Sequence, residues 1–189
     1  VDECGIDVEP LAVALVIDVS GSMQGSLYLQ TLTEAVCDGS VTALIDRMAI
    51  VVVAAGLVKP YVSTILDFTD TSSACDIMLA LGDFWSSNVG SEYMLEGVDR
   101  AFTTLTWPTG HGRTTVAFGD ELIKVDVATE ATIVGGCIGS NISLISYTTP
   151  AHDYEWQAMT ASCDGSVEML STSSEIMRGS LVDVFSQRC

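Results

Sequence analysis

The chain has 189 residues, 48% of them hydrophobic, with Lys+Arg 7 against Asp+Glu 25 and a formal net charge of −18. So few basic groups leave little to neutralise nucleic-acid phosphates, and an anionic membrane surface would repel the chain. A mean hydropathy of +0.41 excludes intrinsic disorder and provides for a sizeable core, so residues 1–189 read as one domain whose natural counterparts are cations or basic partner patches.

Leu11–Ile17 is a continuous apolar run, as a buried parallel strand requires, and it stops abruptly at Asp18-Val-Ser20-Gly-Ser22. Residues 26–37 have helical spacing (Leu27, Leu29, Leu32, Val36) until Asp38-Gly39, after which a short turn leads through Leu44. Met48–Ala54 is a second buried strand. Tyr61–Phe68, next to Pro60, suits an edge strand. A helix is predicted from Thr71 to Trp85, capped by Thr71 or Ser72, then another over 92–105 with Ser91 as its cap. Thr114–Phe118 is a third buried strand, again running into an acid at Gly119-Asp120. A helix over 125–135 is expected to end at Gly135-Gly136. Asn141–Tyr147 then reads as a strand, Tyr154–Ala161 as a helix, Val167–Ser171 as a strand, and Ser174–Gln187 as a closing helix capped by Ser173 or Ser174. Alternating strands and helices imply an α/β fold: a three-layer, Rossmann-like open sheet, mostly parallel with one antiparallel edge strand, and helices on both faces.

Six cysteines (Cys4, Cys37, Cys75, Cys137, Cys163 and Cys189) lie too far apart in sequence for a zinc site. An even, widely spread set reads as three disulfides and places the chain in an oxidising compartment, secreted, extracellular or periplasmic. The first residue, Val1, suits a mature form after removal of a signal peptide. No apolar run reaches the roughly 20 residues of a membrane-spanning helix, so membrane insertion is not expected.

In a parallel sheet, ligands gather beyond the carboxyl ends of the strands. Asp18 and Asp120 both sit at such ends. Ser20 and Ser22 add two hydroxyls in the same loop, and Gly21 is expected to let that loop turn tightly. Hard oxygen donors of this kind suit Mg²⁺ or Ca²⁺, with Mn²⁺ a further option. The same residues would also serve as helix caps.

Ala14-Leu-Val-Ile-Asp-Val-Ser-Gly-Ser-Met23 resembles the first strand and metal-ion-dependent adhesion site of von Willebrand factor type A domains. The resemblance runs in element order over nearly the whole chain. It is strongest toward an uncharacterised bacterial secreted branch, through Leu29-Gln30 and Gly119-Asp120. It implies that Ser20 and Ser22 bind the ion directly, that Asp18 and Asp120 bind it directly or through water, and that one position stays open for a partner's acidic side chain. The family's usual Thr is replaced by Gly90-Ser91-Glu92; Ser91 is the preferred ligand, with Glu92 beside it. The family's topology also implies the pairings Cys4–Cys189, Cys37–Cys75 and Cys137–Cys163, although the terminal Cys4 and Cys189 could instead bridge to a neighbouring subunit.

The function implied is an extracellular, cation-dependent adhesion or protein-binding domain. An alternative is a self-assembling subunit of an extracellular filament or surface layer, a homo-oligomer in which a neighbour's acid fills the open position. Its motive is a hydrophobic chain with only Lys59 and Lys124 as lysines. An enzyme is not expected, because no nucleophile–base pair is evident. His111 lies in a Gly-rich turn, His152 lies in an acidic loop with Asp153 and Glu155, and Asn141-Ile-Ser143 is a sequon at a strand start.

Overall fold

A computed structural model of the chain describes residues 9–25, 27–54, 62–80, 93–120 and 127–187. The first strand, β1 (Leu11–Asp18), is buried along its whole length. Its neighbours account for this. It pairs in parallel with β2 (Arg47–Val53) on one side and with β4 (Gly112–Phe118) on the other. β3 (Val62–Thr69) runs antiparallel beside β2, and β5 (Ser143–Thr148) and β6 (Val167–Met169) complete the order β3-β2-β1-β4-β5-β6. The half-buried, irregularly registered β3 is the antiparallel edge strand expected from its proline neighbour.

Side-chain alternation divides the apolar residues into two cores. Leu11, Val13, Leu15 and Ile17 face one side, which is covered by α1 (Gly21–Gly25), α2 (Tyr28–Val36), α4 (Thr71–Ala80) and α8 (Ser174–Ser186), with α3 (Gly39–Thr42) joining α2 to β2. Ala14 and Val16 face the other side, under α5 (Met94–Thr103), α6 (Glu130–Ser140) and α7 (Asp153–Ser162). The small residues on this side let α5 approach closely. A Cβ on Gly97 would lie 2.5 Å from Val53 Cγ2 and 2.7 Å from Val16 Cγ1.

Four sequence expectations are corrected. Helix α6 runs straight through Gly135-Gly136 and ends at Asn141, which takes the left-handed conformation (φ 52°). Gly136 is a point of close packing rather than a stop, since a Cβ there would sit 3.0 Å from Phe102 of α5. Asn141, the sequon residue, is therefore a helix cap and not a strand start. At α4 the capping side chain is Asp70, not Thr71 or Ser72. Its Oδ1 accepts from Ser73 N–H at 2.9 Å and its Oδ2 from Ser73 Oγ at 2.8 Å. Gly21 has no left-handed φ and open space where a Cβ would stand, so the loop after β1 does not depend on its freedom.

The bonds from Ser73 hold the Asp70 carboxyl below its ordinary pKa, and bonds from the Ser40 side chain and backbone do the same for Asp38, with Arg178 adding to them. A lowered folded-state pKa stabilises the fold above the unfolded value of 3.8, and that stability is lost as pH falls through the folded one. Asp70→Ala is expected to lower Tm at neutral pH, with the deficit shrinking in strong acid; a pH series of thermal melts checks it.

Two disulfides pin the layers: Cys37–Cys75 joins the end of α2 to α4, and Cys137–Cys163 joins α6 to the end of α7. The expected Cys4–Cys189 pairing lies outside the described residues. The Cys137–Cys163 bridge spans 26 residues. Replacing both cysteines with serine should cost about 3 kcal/mol, read as a lower denaturation midpoint with m at or above the wild-type value, because the unfolded chain is no longer cross-linked. No helix among the described residues is long and apolar enough to cross a membrane.

Candidate metal centre

Register brings the two acids together. Ile17 pairs with Phe118 across β1 and β4, so Asp18 lies one residue and Asp120 two residues beyond the same rung. β1 lies between β2 and β4 inside the sheet, and Asp18 at its end is fully buried; Ser20 is 2% exposed. Val19 N–H bonds to Val53 O at 2.9 Å and Gly119 N–H to Tyr147 O at 3.1 Å, which fixes both loop starts to neighbouring strands.

The side chains form a chain of short contacts. Asp18 Oδ1 accepts from Ser20 N–H at 2.8 Å. Ser20 Oγ and Ser22 Oγ lie 2.9 Å apart, and Ser22 Oγ donates to Asp120 Oδ1 at 3.0 Å. Four of the residues singled out from the sequence thus meet at one place. The other two, Ser91 and Glu92, lie outside the described residues.

Burial raises the pKa of the Asp120 carboxyl, against the lowering effects of the Ser22 hydrogen bond, its own backbone and the nearby His152. Gathering carboxylates in a dry site is costly unless a cation or hydrogen-bond donors compensate. The donor set fits a hard divalent ion: two carboxylates and two hydroxyls, all oxygen, on two adjacent loops. Asp18, Ser20, Ser22 and Asp120 would hold it, and it would supply the positive charge that this arrangement calls for. Among the described residues no three His, Cys, Asp or Glu side chains cluster as a metal site. A centre built half from serines is of a different kind, and His152, Asp153 and Glu155, which lie at the start of helix α7 rather than in a loop, do not form a second one.

Two long-range ties carry no sequence motif. Thr149, just past the end of β5, donates through Oγ1 to the Asp120 carbonyl at 3.5 Å. Glu96, in the first turn of α5, accepts from Val127 N–H at 2.9 Å and from Ala128 N–H at 3.4 Å, holding the start of the α6 approach against α5. Position after a strand end could have flagged Thr149; nothing local marks Glu96.

No protein-family model and no curated protein matches the sequence. Solved structures match its fold. A von Willebrand factor type A protein from Catenulispora acidiphila aligns over 95% of this chain and 43% of its own, at 16% identity and TM-score 0.65. Proximal thread matrix protein 1 from the mussel byssus, solved with a zinc-occupied MIDAS motif, aligns over 95% and 47%, at 14% identity and TM-score 0.66. An aerotolerance-related membrane protein from Bacteroides fragilis, bearing multiple mutations to serines, aligns over 94% and 99%, at 12% identity and TM-score 0.68. The chain spans less than half of the Catenulispora and mussel chains. Together with the strand order, these likenesses show the von Willebrand factor type A fold.

Proposed function

We propose that this fold serves as an extracellular, divalent-cation-dependent protein-binding domain. Asp18, Ser20, Ser22 and Asp120 hold Mg²⁺, Ca²⁺ or Mn²⁺, Ser91 or Glu92 adds a further oxygen, and the ion's open position takes an acidic side chain of a partner. One observation carries this reading: the Ser20, Ser22 and Asp120 side chains from two adjacent strand ends are linked by hydrogen bonds, and the Asp18 carboxylate beside them accepts from the Ser20 backbone N–H. The zinc-occupied motif of the mussel protein supports it, and two disulfides support an oxidising compartment. The role is binding rather than catalysis. His111, one of two histidines, is engaged by Asp46 Oδ2 at 2.8 Å and the Thr109 carbonyl at 3.0 Å. Calorimetric titration with Mg²⁺, Ca²⁺ and Mn²⁺ tests the reading. Saturable binding at one site is expected; absence of binding by all three rejects it.

A second reading, self-assembly, is favoured by large apolar side chains left exposed, among them Leu27 (60%), Leu79 (69%) and Ile138 (66%). A byssus matrix protein among the structural neighbours supports it. Light scattering with and without chelator separates the two. A protein that is monomeric in both conditions rejects assembly.

A further inference from the structure

The sheet ends at β6, and no described strand lies against its outer edge. Ser146 N–H donates to Ser166 O at 3.0 Å and Leu170 N–H to Thr148 O at 2.9 Å. The even-numbered backbone groups of this strand therefore turn toward β5, and alternation turns those of Val167 and Met169 outward. An edge of this kind is a ready template for another strand.

A hollow lies on each side of the edge. On the α8 side a groove of about 570 Å³ is lined by Glu168, Glu175 and Asp183, with Ile176 63% exposed at its wall. On the α7 side a groove of about 300 Å³ is lined by Val167, Met169 and Gln157, and Met169 is 57% exposed. A strand laid along β6 would send alternate side chains into the two grooves, like its template.

Glu168 is held ready on the α8 side. Its Oε1 accepts from Ser166 Oγ at 2.8 Å and its Oε2 from Ser180 Oγ at 3.3 Å, and Ser180 is itself 2.9 Å from the buried Tyr147 hydroxyl. A carboxylate has about four acceptor sites, so two remain for a ligand. The ion pairs among the described residues engage Asp38 and Asp46, not the three acids of this groove. A second copy of β6 would set Glu168 against Glu168 on a chain of net charge −18. The complementary occupant is basic.

We propose that the open edge of β6 docks an extended segment of a partner protein of the pattern apolar–Lys/Arg–apolar. The segment pairs with the backbone of Val167 and Met169, its cation meets Glu168, and its flanking apolar side chains meet Val167 and Met169. This surface is distinct from the metal centre at Asp18 and Asp120.

The test is an NMR titration of the intact protein with the peptide acetyl-Thr-Val-Lys-Val-Thr-amide. Shifts should centre on β6, α7 and α8. Affinity should fall about fivefold in Glu168→Gln, for loss of one partly exposed ion pair. The same peptide with Glu in place of Lys should fail to bind wild type and recover binding to Glu168→Lys. Methylating alternate peptide amides should abolish binding without any change to the protein. Asp18→Ala and chelator should leave all of this unchanged, so the outcome is independent of the metal reading. Equal binding of the Lys and Glu peptides, shifts mapping elsewhere, or no binding at millimolar peptide would overturn the proposal. So would a concentration-dependent dimer through β6 without peptide.

Discussion

Asp18→Ala should remove divalent-cation affinity, by more than about a hundredfold, while the protein still folds. Even outer-shell partners of bound metals are worth about 10–100-fold, and this carboxylate is half of the formal negative charge that the described side chains bring to the centre. It is also fully buried and bonded to Ser20 N–H at 2.8 Å. Asp120→Ala should act in the same direction. Ser20→Ala and Ser22→Ala remove neutral donors and should cost about tenfold each. Thermal melts read the effect directly. At a hundred times its Kd a bound ion stabilises wild type by about 2.7 kcal/mol, a rise in Tm of roughly 5–10 °C for a chain of this size. In Asp18→Ala that rise should vanish, whereas the melt in chelator should stay near wild type or improve, because a buried carboxylate has been removed. An undiminished metal-induced rise in the variant would locate the ion elsewhere.

How far the sequence anticipates this centre depends on the range of the interactions involved. Leu11–Ile17 declares a central strand because a strand buried on both faces must be apolar at every position, and β1 is buried at every position. Asp18 and Asp120 are legible because a charge that ends such a run has few structural reasons to be there. That they meet, however, is a matter of register, set by the pairing of Ile17 with Phe118, which no local pattern encodes. The same distinction explains the corrections. Gly135-Gly136 reads locally as a helix stop, but α6 continues because Phe102 of α5 packs against Gly136. Asp70 is hidden as a cap because Thr71 and Ser72 compete with it in sequence, and only the geometry selects the residue whose carboxylate reaches Ser73 N–H. Thr149 and Glu96 touch partners 29 and 31 residues away, beyond the reach of any motif.

Gly165→Ala is expected to be among the most destabilising single substitutions in the molecule, although it adds one methyl group at a turn. Gly165 follows Asp164, which holds a left-handed φ of 51°, at the point where the chain leaves α7 to become β6. Its N–H bonds to Thr160 O at 2.9 Å, and just before it the Cys163 carbonyl accepts Leu144 N–H at 3.2 Å, so the segment is tied to α7 and to β5 at once. A Cβ on Gly165 would collide with the Leu144 carbonyl oxygen and lie 2.6 Å from its carbon. These are main-chain atoms of a ladder-bonded strand, unlike the rotatable ends of a side chain. Relief requires β5 or the α7–β6 connection to move, and the Cys137–Cys163 bridge restrains that connection. Strain of this kind costs about 3 kcal/mol, or roughly 6–12 °C in Tm. Gly135→Ala makes the counter-experiment. Gly135 lies within α6, and a Cβ added there would meet nothing within 4 Å, so alanine should stabilise by about 0.5–1 kcal/mol through helix propensity alone. Opposite signs for the same chemical change, read by denaturant unfolding, would show that backbone proximity to β5 governs the Gly165 site. A neutral Gly165→Ala would mean that the α7–β6 connection is free to shift, and the firm seating of β6 against β5 would have to be abandoned with it.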